Sequence, residues 1–139
     1  MVIEKDPTNP RNDLCREMGI LVLERDAREA ENLIAASIKS AKYLIAVCGD
    51  EGINAEIAVA ARNLTSARTK GVLNCAIHIT NPRLSDLLRE LEFGFETFPN
   101  FRLEIFNLVE RGARYLVSEY ALLGQEIDKS TTEIGRAHV

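Results

Sequence analysis

Short β-branched runs alternate along this chain with stretches whose apolar residues recur every three or four positions. The first run, VIEKD at residues 2–6, gives way to PTNPRNDLCREMG. There Asn9 before Pro10 makes a helix start, a capping side chain ahead of a ring whose φ is already helical. Leu14, Cys15 and Met18 share one face of that helix, and Gly19 supplies its stop. The second strand is ILVLE, residues 20–24. In the segment that follows, Asp26 and Glu29 have capping-box spacing, and Ala30, Leu33, Ile34 and Ser37 keep helical spacing. YLIAVC, residues 43–48, is apolar throughout, as expected of a strand covered on both faces. Gly49 and Asp50 then open a helix with one continuous stripe of Ile53, Ile57, Ala60, Ala61 and Leu64.

The second half repeats the pattern. After the polar loop TSARTKG comes a fourth strand, VLNCAIHIT at residues 72–80. Asn81 and Pro82 repeat the capped, proline-led helix start, with Leu84, Leu87, Leu88 and Leu91 on the buried face. FGFETFPNF leads to a fifth strand, RLEIF at residues 102–106. A last helix starts near Asn107, with Glu110 at capping-box spacing and an apolar face of Val109, Ala113, Leu116, Val117 and Tyr120. Strands separated by single helices pair in parallel through right-handed crossovers. The expected fold is α/β, an open doubly wound sheet with helices on both faces.

Composition narrows the class. A chain of 139 residues with 46% hydrophobic and 27% charged residues fits one globular domain with a real core. The net charge of −4 argues against a nucleic-acid surface, which wants a basic excess. No apolar stretch approaches the roughly 20 residues of a membrane helix, and the amino terminus has no signal-peptide layout. Cys15, Cys48 and Cys75 are too far apart in sequence for a paired-cysteine metal motif and read as buried thiols in a reducing cytoplasm. Residues 125–139 are polar and aperiodic and read as a tail, the last six resembling a translated sequencing adapter. The expected boundaries are a domain over 1–122 and a tail over 123–139.

Ligands of open parallel sheets bind beyond the carboxyl ends of the strands. The residues expected there are Glu4, Lys5 and Asp6, Asp26 and Ala27, Gly49 and Asp50, and His78, Thr80 and Asn81. An acidic side chain at the end of a Rossmann second strand accepts hydrogen bonds from both ribose hydroxyls of a nucleotide, and Glu4 fits that role. It also reads as a solvated strand-end charge. Asp26 and Asp50 read as helix caps, with or without a ligand contact. His78 reads as a satisfied structural residue or as a ligand contact. The chain carries no G-x-G-x-x-G, the turn whose amides meet a pyrophosphate. VIEKD therefore reads as the second strand of such a fold, with the first strand and its glycine-rich turn lacking.

These residues resemble the N-terminal RCK, or TrkA-N, domain of bacterial potassium uptake systems and ligand-gated potassium channels. The resemblance runs from Val2 to about Tyr120. It rests on VIEKD with its helix and Gly, on LERDA, on AKYLIAVCGDEGINAEIAVAAR, and on the Asn-Pro helix start with Leu84, Leu87, Leu88 and Arg89 after it. It implies a cytoplasmic regulatory domain, not an enzyme, that binds NAD(H) or ATP/ADP, pairs with other copies, and gates a potassium channel or transporter subunit. By position it implies Glu4 at the adenosine ribose, Asp26 and Ala27 at the adenine end, Cys48 and Gly49 near the phosphates, and His78 where many relatives have arginine. Arg25 stands where the family has Gly. Two other readings stay open: an interaction module with a degenerate nucleotide site, or a fragment of an NAD-dependent dehydrogenase.

Overall fold

The computed structural model describes residues 1–93 and 99–120, without the side chains of 91–93. The expected sites at Leu91 and in the tail lie outside what is described. The chain divides into two compact units, Met1–Phe106 and Asn107–Val139.

The first unit runs β1 (Val2–Glu4), α1 (Arg11–Glu17), β2 (Val22–Glu24), α2 (Ala30–Ala35), β3 (Tyr43–Ala46), α3 (Glu51–Thr65), β4 (Leu73–His78), α4 (Pro82–Phe93) and β5 (Phe101–Phe106). Every strand pair is parallel, as the alternation with helices demands. β1 to β4 are shorter than the runs suggested, β2 losing its first residues, β1 and β3 their last and β4 residues at both ends, while β5 is longer by one residue, starting at Phe101. The sheet is also split: β1 pairs with β2, and β3, β4 and β5 pair in that order.

The core lies on one face of the larger sheet. Leu73, Cys75, Ile77 and Ile79 point into it from β4 and the residue beyond, all at 2% exposure or less. The α3 stripe meets them: Ile57, Ala58 and Ala61 are buried, with Ile53, Ala60 and Leu64 packed at the margin. Leu33 and Ile38 close the core from the α2 side and Leu88 from α4.

Four apolar expectations need correction. β3 is covered on one face only: Leu44 and Ala46 pair in register with Cys75 and Ile77 toward the core, while Tyr43, Ile45 and Val47 are 72%, 65% and 60% exposed. On α1 the exposed residues include Leu14 and Met18, and the buried residue is Asn12. Ile34 of α2 and Leu87 of α4 are likewise exposed beside buried Leu33 and Leu88, so each stripe is narrower than its spacing implied.

The helix stops are local chemistry. Gly19, at φ +74°, ends α1: its N–H donates to the Arg16 carbonyl (2.9 Å) and the Ile20 N–H to that of Cys15 (2.9 Å). Ser37 does the same for α2 at φ +62°, with Ile38 N–H on the Leu33 carbonyl at 3.0 Å. A left-handed residue with a Cβ is strained, which is why no stop was legible there.

In the second unit, residues 108–120 are helical. The Asn107 side chain caps this helix as expected, accepting from the N–H groups of Val109 (3.0 Å) and Glu110 (3.1 Å). Its expected apolar face is exposed at Val109, Leu116, Val117 and Tyr120.

Candidate functional site

Three of the strand-to-helix turns are built on one plan. Each strand end is fastened by an asparagine six residues later, in or beside the first turn of the next helix. Asn12 Nδ2 donates to the Asp6 carbonyl (3.1 Å), Asn32 Nδ2 to the Asp26 carbonyl (2.9 Å) and Asn54 Nδ2 to the Cys48 carbonyl (3.0 Å). The three are 4%, 3% and 0% exposed, so each is a buried polar group whose Nδ2 is committed to a backbone carbonyl; Asn32 Nδ2 also donates to Glu29 Oε2 (2.8 Å). Asn54 does most: its Oδ1 accepts from the Cys48 N–H (2.8 Å), and Nδ2 also reaches the His78 carbonyl (3.0 Å), tying the ends of β3 and β4 together. The fourth turn is fastened by Glu51, whose carboxylate accepts from the N–H groups of Thr80 (2.9 Å) and Asn81 (3.0 Å) and from the Thr80 hydroxyl. These hydrogen bonds hold the Glu51 carboxyl below its ordinary range, the Thr80 hydroxyl first among them.

On this frame the strand-end residues form a rim. Glu4 ends β1, half-buried; Oε1 accepts from the Asp6 N–H (2.9 Å) and Oε2 from Asn9 Nδ2 (2.8 Å). A carboxylate has about four lone-pair sites, so two remain for a ligand. Asn9 also accepts from the Arg11 N–H (3.0 Å), so it serves both as the expected cap and as the Glu4 anchor.

Asp26 is not a helix cap. Helix α2 starts only at Ala30, too late for the Asp26 carboxylate, which accepts from the Arg28 N–H (3.0 Å) within its own turn. The Arg28 guanidinium grips the same carboxylate through Nε (3.0 Å) and NH2 (2.6 Å), and Lys5 Nζ joins at 3.1 Å. Arg28 hydrogen bonds, then the lysine, hold the Asp26 carboxyl far below the usual range. Arg28 NH1 also approaches Glu56 of α3 at 3.8 Å, so β1, β2 and α3 meet through one chain of charges. The Lys5 and Asp26 sites are therefore in direct contact, and Ala27 packs at the core margin behind them. Arg25 reaches Asn32 Oδ1 only at 3.5 Å.

At the end of β3, Cys48 is exposed as a residue, because it lies past the last paired residue, Ala46, so of the three thiols expected to be buried Cys75 alone is. Partial burial of the Cys48 thiol, with Glu4 adding, still raises its pKa. Gly49 does not need glycine's backbone freedom, since its φ is ordinary; a Cβ added there would meet nothing within 4 Å, so the turn is open toward the rim. Asp50 caps α3 as expected, accepting from the N–H groups of Gly52 (2.8 Å) and Ile53 (3.4 Å). His78 ends β4 with its ring 5.5 Å from that of Phe106. Its Nε2 is buried and has no hydrogen-bond partner among the described residues. The expectation of a satisfied structural histidine is thus not met at that atom.

The sequence profile of the TrkA-N domain matches residues 1–95, which span all four of these turns. The chain belongs to the TrkA-N domain family. No curated protein and no solved structure was found to match it. TrkA-N domains are regulatory domains associated with nucleotide binding and with potassium transport. Among the described residues no helix is long and apolar enough to cross a membrane.

On the rim of this TrkA-N domain Glu4 has carboxylate lone pairs without a partner among the described residues and Gly49 leaves open space, whereas the unpartnered His78 Nε2 is buried. Among the described residues no turn is a glycine-rich cradle for a pyrophosphate. Asn12, Asn32, Asn54, Glu51 and Arg28 were not legible as site builders, yet the six-residue recurrence of asparagine after 6, 26 and 48 was in the sequence to be found. A separate cavity of about 570 Å³ lies at the opposite edge, at the amino ends of β3 and β4, lined by Lys39, Arg68 and Lys70 among others.

Proposed function

We propose that this TrkA-N domain is a regulatory module that binds an adenine nucleotide, NAD(H) or ATP/ADP, at the carboxyl rim of its strands and thereby controls potassium transport. The observation that carries this reading is the Glu4 carboxylate, fixed at the end of β1 by Asp6 and Asn9 with lone pairs to spare. Two vicinal ribose hydroxyls are donors that such a carboxylate accepts, and a 2'-phosphate is repelled by it. Gly49 lies on the approach beyond it, with His78 at the end of the neighbouring strand, and Asp26 with Ala27 bounds the adenine end. When bound, the nucleotide supplies recognition, not chemistry. The chain's own residues orient it and couple its presence to the Lys5–Asp26–Arg28–Glu56 chain. Regulation then follows if a membrane transport subunit on the cytoplasmic side, or a second copy of the domain, engages the occupied rim differently from the empty one.

Binding carried by one carboxylate on an open rim is weak, with Kd of roughly 1 mM, or about 4 kcal/mol. Amide NMR of the full chain titrated with ADP and NADH tests this. Shifts at Glu4, Ala27 and Gly49, abolished in Glu4→Ala, support the reading. Equal binding by Glu4→Ala removes the ribose assignment. Substrate-dependent oxidation of NADH would favour the dehydrogenase reading instead.

A further inference from the structure

Three cations and no carboxylate line the cavity of about 570 Å³ at the amino ends of β3 and β4, on a chain whose net charge is −4. The volume is that of a small-molecule site. Lys39 comes from the loop before β3, and Arg68 and Lys70 from the loop between α3 and β4. Elsewhere Lys5, Arg16, Arg28 and Arg114 each meet a carboxylate, whereas these three have no acidic partner among the described residues.

Arg68 is set in place beforehand. It is half-buried, and its guanidinium clasps both loops: Nε donates to the Lys70 carbonyl (3.0 Å) and NH1 to the Ala41 carbonyl (2.8 Å). Its own carbonyl accepts from Asn100 Nδ2, just ahead of β5. A guanidinium already fixed in this way loses little freedom on meeting an anion.

The hydrogen-bond balance of the two loops points to the same kind of ligand. Acceptors are spent: the carbonyls of Ser37, Lys42 and Thr65 take N–H groups from Ser40, Asn74 and Arg68, and those of Ala41 and Lys70 take the guanidinium. Donors are left over: Arg68 NH2, both lysine ammonium groups, the Thr69 hydroxyl and the N–H groups of Thr69 and Lys70 have no partner among the described residues. Surplus donors beside spent acceptors call for a ligand that only accepts hydrogen bonds. Three cations match a phosphate dianion better than a single carboxylate, and its terminal oxygens suit both the arginine fork and the lysine point charges. Leu64 and Ala67 add an apolar wall for a short carbon skeleton.

We propose that this cavity binds the phosphate group of a phosphomonoester through Arg68, Lys39 and Lys70. It lies at the opposite strand ends from Glu4, so it goes beyond the nucleotide reading and does not depend on it.

Amide NMR of the full chain titrated with methyl phosphate tests the site. Saturable shifts at Lys39, Thr69 and Lys70 are expected. The double variant Lys39→Gln/Lys70→Gln changes two exposed side chains, so it keeps its fold by circular dichroism and weakens binding by about tenfold. Sedimentation with phosphatidylcholine vesicles containing phosphatidic acid distinguishes the sources of the phosphate. Capture by these vesicles, lost in the double variant, supports the site with a lipid headgroup as its occupant; methyl phosphate shifts without vesicle capture support it with a soluble phosphomonoester. ADP-induced shifts at Glu4, Ala27 and Gly49 are expected to persist in the double variant. The proposal is overturned if neither probe binds saturably or if the double variant binds as well as the parent chain. Equal binding of succinate overturns it, since the cavity would then read charge alone. Loss of the rim shifts in the double variant overturns it too, because the two sites would then be one.

Discussion

The two sheets of this domain are made differently. The β3–β4–β5 sheet rests Leu73, Cys75 and Ile77 on α3 with almost no exposure, whereas Val2, Ile3, Val22 and Leu23 of the β1–β2 pair are all only half-buried. Yet the turns leaving both sheets use the same asparagine plan. Packing therefore concentrates stability in one sheet, while polar fastening keeps the rim in place across both. Local opening is expected to start at β1–β2.

The largest expected effect is in the better-packed sheet. Ile77→Ala should cost about 3–4 kcal/mol in denaturant unfolding, and Leu23→Ala in the other pair about 1 kcal/mol. Equal losses would remove the asymmetry. Next come the asparagines. Asn54→Ala leaves the Cys48 N–H and two carbonyls short of partners and should cost about 2–3 kcal/mol, against about 1 kcal/mol for Asn12→Ala or Asn32→Ala; the ranking is read from urea midpoints. The Arg28–Asp26 contact gives a pH signature. The folded carboxyl has a lowered pKa, so its contribution is fully present above the unfolded value of about 3.9 and fades as pH falls through and below it. Asp26→Asn should flatten the acid limb of a Tm–pH curve and leave neutral pH less affected. Ser37→Gly, relieving a left-handed serine, should raise stability by about 1 kcal/mol. The smallest effect is chemical: burial pushes the Cys75 thiol up to about 12, so a thiol reagent should label Cys48 and Cys15 in the native chain and reach Cys75 only on unfolding.

How much was legible follows from what each pattern encodes. The order of strands and helices, the Gly19 stop and the Asn9, Asp50 and Asn107 caps rest on local rules, and sequence carries those. The placement of Glu4, Asp26, Cys48 and His78 on one rim followed from parallel pairing. What periodicity misjudged was coverage: Tyr43, Ile45, Leu14 and Met18 are apolar at core spacing, but spacing does not say whether a neighbour exists to cover them. Asp26 at capping-box distance from Glu29 was misread for a similar reason. The competing Arg28 grip comes from a residue two positions on, and the helix starts later. The buried asparagines were missed because a polar residue in a helix's first turn looks like surface until its partner carbonyl is known.

The central claim, that nucleotide meets this TrkA-N domain at the rim anchored by Glu4, is tested most directly by mapping ADP-induced amide shifts on the full chain. Shifts centred on Glu4, Ala27 and Gly49 are the predicted result. Shifts centred on Lys39, Arg68 and Lys70, where cations alone would draw phosphate to the opposite edge, would contradict it.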